Sequence, residues 1–468
     1  MTSFVFLLCK WTVSHISRLN PSATVSTHSR YYAHGLLTSS AEPPKFDLET
    51  HISNYDPPTR LDRLIHIGLT SLPLQLDALK SAQSDAKSSL NVPRYLAISS
   101  FLEAHYPDDP TLRPDHSWIS QTSAQTAAET SRLEGELKGY KNNLIKESIR
   151  MAQEELGIHH FVTGNLVEAN RSFSKMREHC TTPAHLAYMS LRQALVSVAQ
   201  QNWINLQVCV SRIQSQPSFA DFNKVGPALK PLLGLASLEH SDYRSAAMHF
   251  VQAHPAFVAP MEPVASGIVL NRAVLSPNDV AIYGTLCVLA SFDRDEIMKL
   301  TLYPSAPFRQ FAELEPHMRR ALNAFVEWEI REVLQTVYSY RSDWLCDAYL
   351  HQHVDPLIAL IRRKLIVWYF FPFACASIHR MADIFKDGDY EAMKQELEFL
   401  IEKGHMNARV DAIRGLLVEP TQKSSRVAAA RNALAAADEQ ERVFSLQWWR
   451  AELLASGQEV KRVVEERG

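Results

Sequence analysis

Apolar residues recur at threes and fours along most of this chain, the spacing of helices that bury one face. Leu61, Leu64, Ile65, Ile67 and Leu69 predict a helix over 61–79, and a second follows over 93–104. The stretch 106–126 carries Pro107, Pro110 and Pro114 among many Ser and Thr and reads as a loop. A long helix is expected over 128–155. A small-and-large pattern then repeats: Leu156, Gly157, Ala169 and Phe173 return 77 positions later as Leu233, Gly234, Ala246 and Phe250. In each copy the Gly and Ala let two antiparallel helices touch, and the Phe fills the groove beside them. Turns near Gly164-Asn165, Gln201-Asn202 and Ser241-Asp242 give successive hairpins 37 to 40 residues apart.

Residues 259–275 form a second connector, ending in Ser276-Pro277-Asn278-Asp279. Ser276 can cap a helix there, Pro277 suits its first turn, and Asp279 sits where a carboxylate reaches back. Helices are expected over 280–300, 305–314, 315–338, 344–351 and 356–371. Ile378, Met381, Ala382 and Phe385 make a stripe that stops at Asp387-Gly388-Asp389; Met393, Leu397, Leu400 and Ile401 mark another helix, closed by Gly404. Short alternating pieces follow at 405–410 and 415–418. Three helices and a two-strand wing make a winged-helix module. A last helix runs over 427–467, interrupted at Ser456-Gly457.

The pattern predicts an all-α chain: a tetratricopeptide-like helical-repeat solenoid, then a winged-helix module and a C-terminal helix. The expected segments are an extension over 1–45, N-terminal helices and loop over 46–127, repeats over 128–350, the winged helix over 351–420 and the last helix over 421–468.

Composition changes this picture little. Of 468 residues, 46% are hydrophobic and 21% charged, and the net charge of −3 gives no general attraction to nucleic acid or anionic lipid. Cys9, Cys180, Cys209, Cys287, Cys346 and Cys375 are scattered without a C-x-x-C pair, as buried thiols in a reducing compartment would be. Apolar runs such as 365–373 are shorter than a membrane span, so a soluble intracellular protein is expected. Residues 1–41 hold no Asp or Glu and are rich in Ser and Thr. They resemble an organelle transit peptide; a disordered extension or a misassigned start is the reading we prefer.

Candidate chemistry is sparse. The helix over 390–403 carries Glu391, Glu396, Glu398 and Glu402, preceded by Asp389, against Lys394 and Lys403. Phosphate would repel a recognition helix of that sign, which argues against nucleic-acid binding. A wing of this kind instead offers a sheet edge for a neighbouring chain. In His351-Gln352-His353, a metal isopeptidase pattern would need Ser and Asp where Ile361 and Lys364 stand. His159-His160 reads as core packing, Arg362-Arg363-Lys364 as a solvated face, and Trp368, Tyr369, Phe370, Phe371 and Phe373 as the core under the winged helix. No phosphate loop, dinucleotide fingerprint or nucleophile elbow occurs. No catalytic residue, metal ligand or cofactor site is assigned.

Helical repeats running into a winged helix resemble the PCI-domain scaffold family of the proteasome lid, the COP-nine signalosome and initiation factor three. Tyr140 to Arg150 (YKNNLIKESIR), Ser276 to Arg294 (SPNDVAIYGTLCVLASFDR) and Ala408 to Asp411 (ARVD) resemble in particular the family of first subunits of the signalosome, with the corresponding lid subunits as close relatives. The resemblance spans roughly 46–440; the N-terminal 40 residues depart from it. It implies a non-catalytic scaffold, in cytoplasm and nucleus, within the complex that removes NEDD8 from cullins and so regulates cullin–RING ubiquitin ligases. Its partners would be other PCI and MPN subunits, one of them holding the isopeptidase zinc, with no membrane involved. A proteasome-lid subunit and a winged-helix nucleic-acid binder are the alternatives. The interaction residues expected are Met406, Asn407, Ala408, Arg409 and Val410 as a pairing strand, with Leu434, Phe444 and Trp448 on the docking face of the last helix.

Overall fold

The computed structural model describes residues 43–107, 109, 112–216, 221–264, 267–419 and 425–456. Expectations for residues 1–41, Cys9 included, and for the last helix beyond 456 lie outside these. The described chain divides after Leu365 into two compact units.

Among the described residues, the first unit is built of helices, with one isolated β-bridge between Val264 and Ile268. It contains α1 (Leu48–Ile52), α2 (Pro57–Thr70), α3 (Gln75–Ser88), α4 (Val92–His105), α5 (His116–Asn142), α6 (Lys146–Val162), α7 (Leu166–Met176), α8 (Pro183–Ala199), α9 (Trp203–Gln214), α10 (Phe222–Glu239) and α11 (Tyr243–Val251). Then come α12 (Leu270–Ala273), α13 (Pro277–Ser291), α14 (Arg294–Ile297) running into a π turn over Met298–Leu302, α15 (Arg309–Leu314), α16 (Pro316–Glu327), α17 (Ile330–Ser339) and α18 (Arg341–Leu345). Helix α19 (Val354–Phe370) crosses the boundary.

The hairpins owe their closeness to pairs of one small and one large residue. A Cβ on Gly157 would lie 2.6 Å from the Phe173 ring, and one on Gly234 2.7 Å from Phe250. Gly68 with Leu79 and Gly284 with Phe308 repeat the device, each at 2.6 Å, outside the two copies legible in sequence. The middle hairpin, α8 with α9, places Ala194 and Val210 at the corresponding positions, both buried. A larger small partner there meets a smaller large one, which conserves volume.

The turns share a construction too. Leu90, Gly164, Gln201 and Ser241 take the left-handed conformation, with φ of 56°, 87°, 56° and 60°. The next residue donates its N–H five residues back: Asn91 to Ala86, Asn165 to His160, Asn202 to Ser197, and Asp242 to Ser237. That residue's side chain then accepts the N–H three positions on, capping the following helix. Two residues thus satisfy both the end of one helix and the start of the next.

Several expected boundaries move. The helix over 61–79 is two, because Pro73 has no N–H to continue α2 and the chain turns extended at Ser71. The expected loop over 106–126 ends at Asp115, which caps α5 by accepting the Trp118 N–H. The Ser/Thr-rich stretch beyond it is helical, with hydroxyls turned back onto carbonyls of the preceding turn, as in Ser120 to His116. The long helix over 128–155 breaks at Leu144, and that over 315–338 at Trp328; both residues have positive φ. The helix over 280–300 stops at Ser291, and Asp293 with Glu296 forms a fresh capping box.

The second unit holds the rest of α19, then β1 (Cys375–Ser377), α20 (Ile378–Phe385), α21 (Tyr390–Glu402), β2 (Arg409–Asp411), β3 (Leu416–Val418) and α22 (Ser425–Ala455). The strands form an antiparallel sheet in the order β1-β3-β2, pairing Ala376 with Leu417 and Val410 with Leu417. The wing is therefore three-stranded. Strand β1 escapes a sequence reading because three residues are too few to show alternation. Ile378, Met381, Ala382, Phe385, Met393, Leu397 and Leu400 are buried as the stripes predict.

Candidate functional site

A buried ionic cluster ties the first helices to residues more than two hundred positions away. Arg63 on α2, 1% exposed, donates to Asp279 Oδ2 at 2.8 Å and to Asp347 Oδ2 at 2.6 Å. Tyr55 donates to Asp279 at 2.7 Å and Tyr283 to Asp347 at 2.5 Å, and the guanidinium lies 4.0 Å from the Tyr55 ring centre. Asp279 also completes the Ser276 capping box, so its role combines the local one read from sequence with a distant one. Burial pushes the Asp279 carboxyl up, Arg63 notwithstanding. Asp347 is held well below the usual range despite burial, by Arg63, the Tyr283 hydroxyl and the Leu350 and Tyr349 N–H groups. Both carboxylates and both terminal guanidinium nitrogens are paired inside the fold, with only Arg63 Nε left without a hydrogen bond, so the cluster is structural.

The histidines are likewise absorbed by packing. His351 bonds to the Ala348 carbonyl at 3.1 Å and its ring lies 4.4 Å from that of His66; His353 meets Tyr243 at 3.3 Å. His160 is buried, and His159 bonds to Thr130 at 3.0 Å. Among the described residues, no group of three or more His, Cys, Asp or Glu is placed to hold a metal ion. Burial, with the His351 ring alongside, lowers His66 to about 3, and burial lowers His317 to about 4. Both stay neutral when folded while the unfolded chain protonates them below about 6.5. Stability from this source is present above that pH and is lost as pH falls toward 4. Denaturant unfolding at pH 7, 6 and 5 should show that loss, and His66→Asn should flatten it; an unchanged slope would contradict the assignment.

Two expectations about charge and aromatic clusters are corrected. Lys364 is not on a solvated face: its Nζ donates to the Leu289 carbonyl at 3.0 Å and to that of Phe292, closing the end of α13. Burial lowers this amine to about 8. The aromatic run is only partly core, since Phe370 is buried but Phe371 is 88% exposed. Among the thiols, Cys209, Cys287 and Cys346 are buried, but Cys180 is half-buried and Cys375 is exposed on β1. A shallow depression of about 520 Å³ along one face of α9, lined by Ile204, Gln207, Val208, Ser211, Arg212 and Ser215, is too open to enclose a small molecule.

Two surfaces suited to partners lie in the second unit. Ile378 N–H bonds to Gly415 O and Glu419 N–H to Ala374 O. By the alternation of an antiparallel ladder, Leu417 points its backbone groups at β1. Val410, opposite it on β2, therefore turns its N–H and C=O away from the sheet. Among the described residues, strand β2 is thus an open edge. The expected pairing strand 406–410 shifts accordingly, because the strand begins at Arg409. Met406 and Ala408 bury their side chains, and Asn407 and Arg409 are exposed.

Helix α22 is the second such surface. Leu434, Phe444 and Trp448 are 64%, 69% and 67% exposed and fall within about 80° of arc at 3.6 residues per turn. A second arc, Val443, Leu446 and Leu454, is also exposed and was not singled out from sequence. A helix apolar on opposite sides is one that other elements surround. On α21, Glu396 turns inward to Lys386 at 3.0 Å, while Asp389, Glu391, Glu398 and Glu402 stay exposed. The outer face of this helix thus keeps an acidic excess.

The family model described as 26S proteasome subunit RPN7 matches residues 115–300, and the PCI domain model matches 334–419. The chain is 39% identical to COP9 signalosome complex subunit 1 of Emericella nidulans, over 92% of this chain and 88% of that protein. It is 37% identical to the protein of the same name in Neurospora crassa, over 76% and 81%, and 32% identical to that of Arabidopsis thaliana, over 81% and 82%.

Proposed function

The chain belongs to the family of COP9 signalosome complex subunit 1, and from that premise we propose that it works as a scaffold through the free β2 edge and the uncovered helix α22. It is an all-α repeat protein ending in a PCI module, and a non-catalytic signalosome subunit that assembles with the other subunits. Removal of NEDD8 from cullins is the work of the whole complex. In this reading the isopeptidase zinc belongs to another subunit, an MPN protein, and cullin–RING ligases reach this chain through the complex, in cytoplasm and nucleus. The β2 edge around Arg409 and Val410 pairs with a neighbouring PCI sheet. Leu434, Phe444 and Trp448, with the opposite arc, enter a shared helical bundle.

The observation that carries this reading is α22, which exposes two tryptophans, a phenylalanine and four aliphatic side chains. Leaving so much apolar area in water is costly, and burial in a bundle recovers roughly 25 cal/mol per Å². The relatives named for the signalosome match most of the chain, which favours that assembly over the proteasome lid. The acidic outer face of α21 disfavours the nucleic-acid alternative.

Co-expression with the other signalosome subunits tests the proposal. The double variant Phe444→Asp, Trp448→Asp should be lost from the purified complex while the thermal unfolding of the isolated chain is unchanged. Val410→Pro should weaken association without breaking the chain's own ladder, whose bonds β2 makes from its neighbours on either side. Stoichiometric recovery of both variants would overturn the reading, and recovery of proteasomal ATPases with the wild type would favour the lid.

A further inference from the structure

The turn between α5 and α6 departs from the construction shared by the four turns described above. Where the turns at Leu90, Gly164, Gln201 and Ser241 place Asn or Asp at the cap, this turn has Leu144 at φ 54° and Ile145 at the cap. Ile145 has no acceptor to offer, and no side chain caps α6. Leu90, the other left-handed leucine, is half-buried, whereas Leu144 is 80% and Ile145 51% exposed. Both residues are locally unfavourable for the turn, and among the described residues both stay largely exposed. Departures of this kind mark positions held for another purpose.

The charges around the apex are equally particular. Residues 138–147 are all exposed. Within them Lys138, Lys141 and Lys146 make no ion pair among the described residues, while Tyr140 is 38% exposed. Below the apex, Arg132 is held by Glu129 and Glu136, and Arg150 by Glu147 and Glu154. The arginines are thus neutralised locally, and three lysines without an ion pair among the described residues share this exposed segment with Leu144 and Ile145.

We propose that this apex is a docking knob: Leu144 and Ile145 enter an apolar pocket on a folded protein partner, and the lysines meet carboxylates on its rim. Charge complementarity selects that occupant. A phosphate backbone would satisfy the lysines but leave both aliphatic side chains in water. An anionic membrane plane would also lie against Glu134, Glu136 and Glu147 on the flanks, whereas discrete carboxylates on a protein rim can face the lysines alone. The site lies in the first unit, and the inference does not rest on the β2 edge or on α22.

A photo-crosslinking benzoylphenylalanine at Tyr140, in the full chain within its purified native complex, tests the proposal. Irradiation should yield one dominant adduct, and mass spectrometry of it should identify a peptide with Asp or Glu flanking apolar residues. Lys138→Glu, Lys141→Glu, Lys146→Glu together should cut the adduct at least tenfold, as should raising the salt from 0.1 to 0.5 M. The pair Leu144→Gly, Ile145→Asp supplies the missing turn chemistry, so it should raise the chain's melting temperature and still abolish the adduct. No adduct, an adduct peptide without acidic residues, or yields indifferent to these variants would overturn the proposal. So would lysine-dependent binding of the chain to phosphatidylserine vesicles or to a labelled duplex.

Discussion

Arg63→Met is expected to cost the first unit about 3–5 kcal/mol at neutral pH, the usual result of leaving buried carboxylates without their cation. The variant keeps a side chain of similar length, so packing around Tyr55 changes little and the loss is chiefly electrostatic. Asp279 and Asp347 would then face each other across a dry site that ordinarily holds one positive charge between them. Without that charge a carboxyl is raised above its unfolded value, so the penalty is full above the folded pKa and shrinks as pH falls below it toward the unfolded value. The gap between variant and wild type should therefore narrow from pH 7 toward pH 5 in denaturant unfolding. Arg63→Lys should recover only part of the loss, because one ammonium cannot span acceptors that the guanidinium meets at 2.6 and 2.8 Å through separate nitrogens. A gap under about 1 kcal/mol, or one independent of pH, would show the cluster to be incidental.

Phe173→Ala should cost about 3–5 kcal/mol, as truncation of a fully buried aromatic does. The ring is 1% exposed and fills the space left by Gly157. The converse change, Gly157→Ala, drives a methyl to within 2.6 Å of that ring and should cost about 1–3 kcal/mol by overpacking. The middle hairpin already carries the compensated pair, Ala194 with Val210. Gly157→Ala with Phe173→Val should accordingly be less destabilising than the sum of its parts by about 0.5–3 kcal/mol. Additive costs would mean that the two residues do not share one space.

What sequence shows of this molecule is what neighbouring residues decide. The Ser276–Asp279 box, the capped turns and the Gly–Phe pairing all rest on spacings of a few residues to about sixteen, and each is where the pattern places it. The misses have physical causes of two kinds. Some elements are too short or too polar to show a period, such as β1 and the Ser/Thr-rich start of α5. Others imitate their opposite: Leu144 and Ile145 continue an apolar period through a turn, so one helix is expected where there are two. In the candidate site, the sheet edge and the apolar residues of α22 were legible, because an unpaired strand and a tryptophan-rich helix have composition signals. The exact outward residue, Val410, needed the ladder. The partners of Arg63 were out of reach, since nothing in a sequence relates positions 216 and 284 apart.

That separation has a consequence for biosynthesis. Arg63 leaves the ribosome long before Asp347, and translation at about 5–20 residues per second leaves roughly 15–60 s between them. Throughout that interval the first helices have a hydrophobic interior of their own but no ionic latch, and Cys346, which packs among Leu64, Ile67 and Leu79, has not yet been made. The amino-terminal region of the nascent chain therefore waits unsealed until its distal half is made.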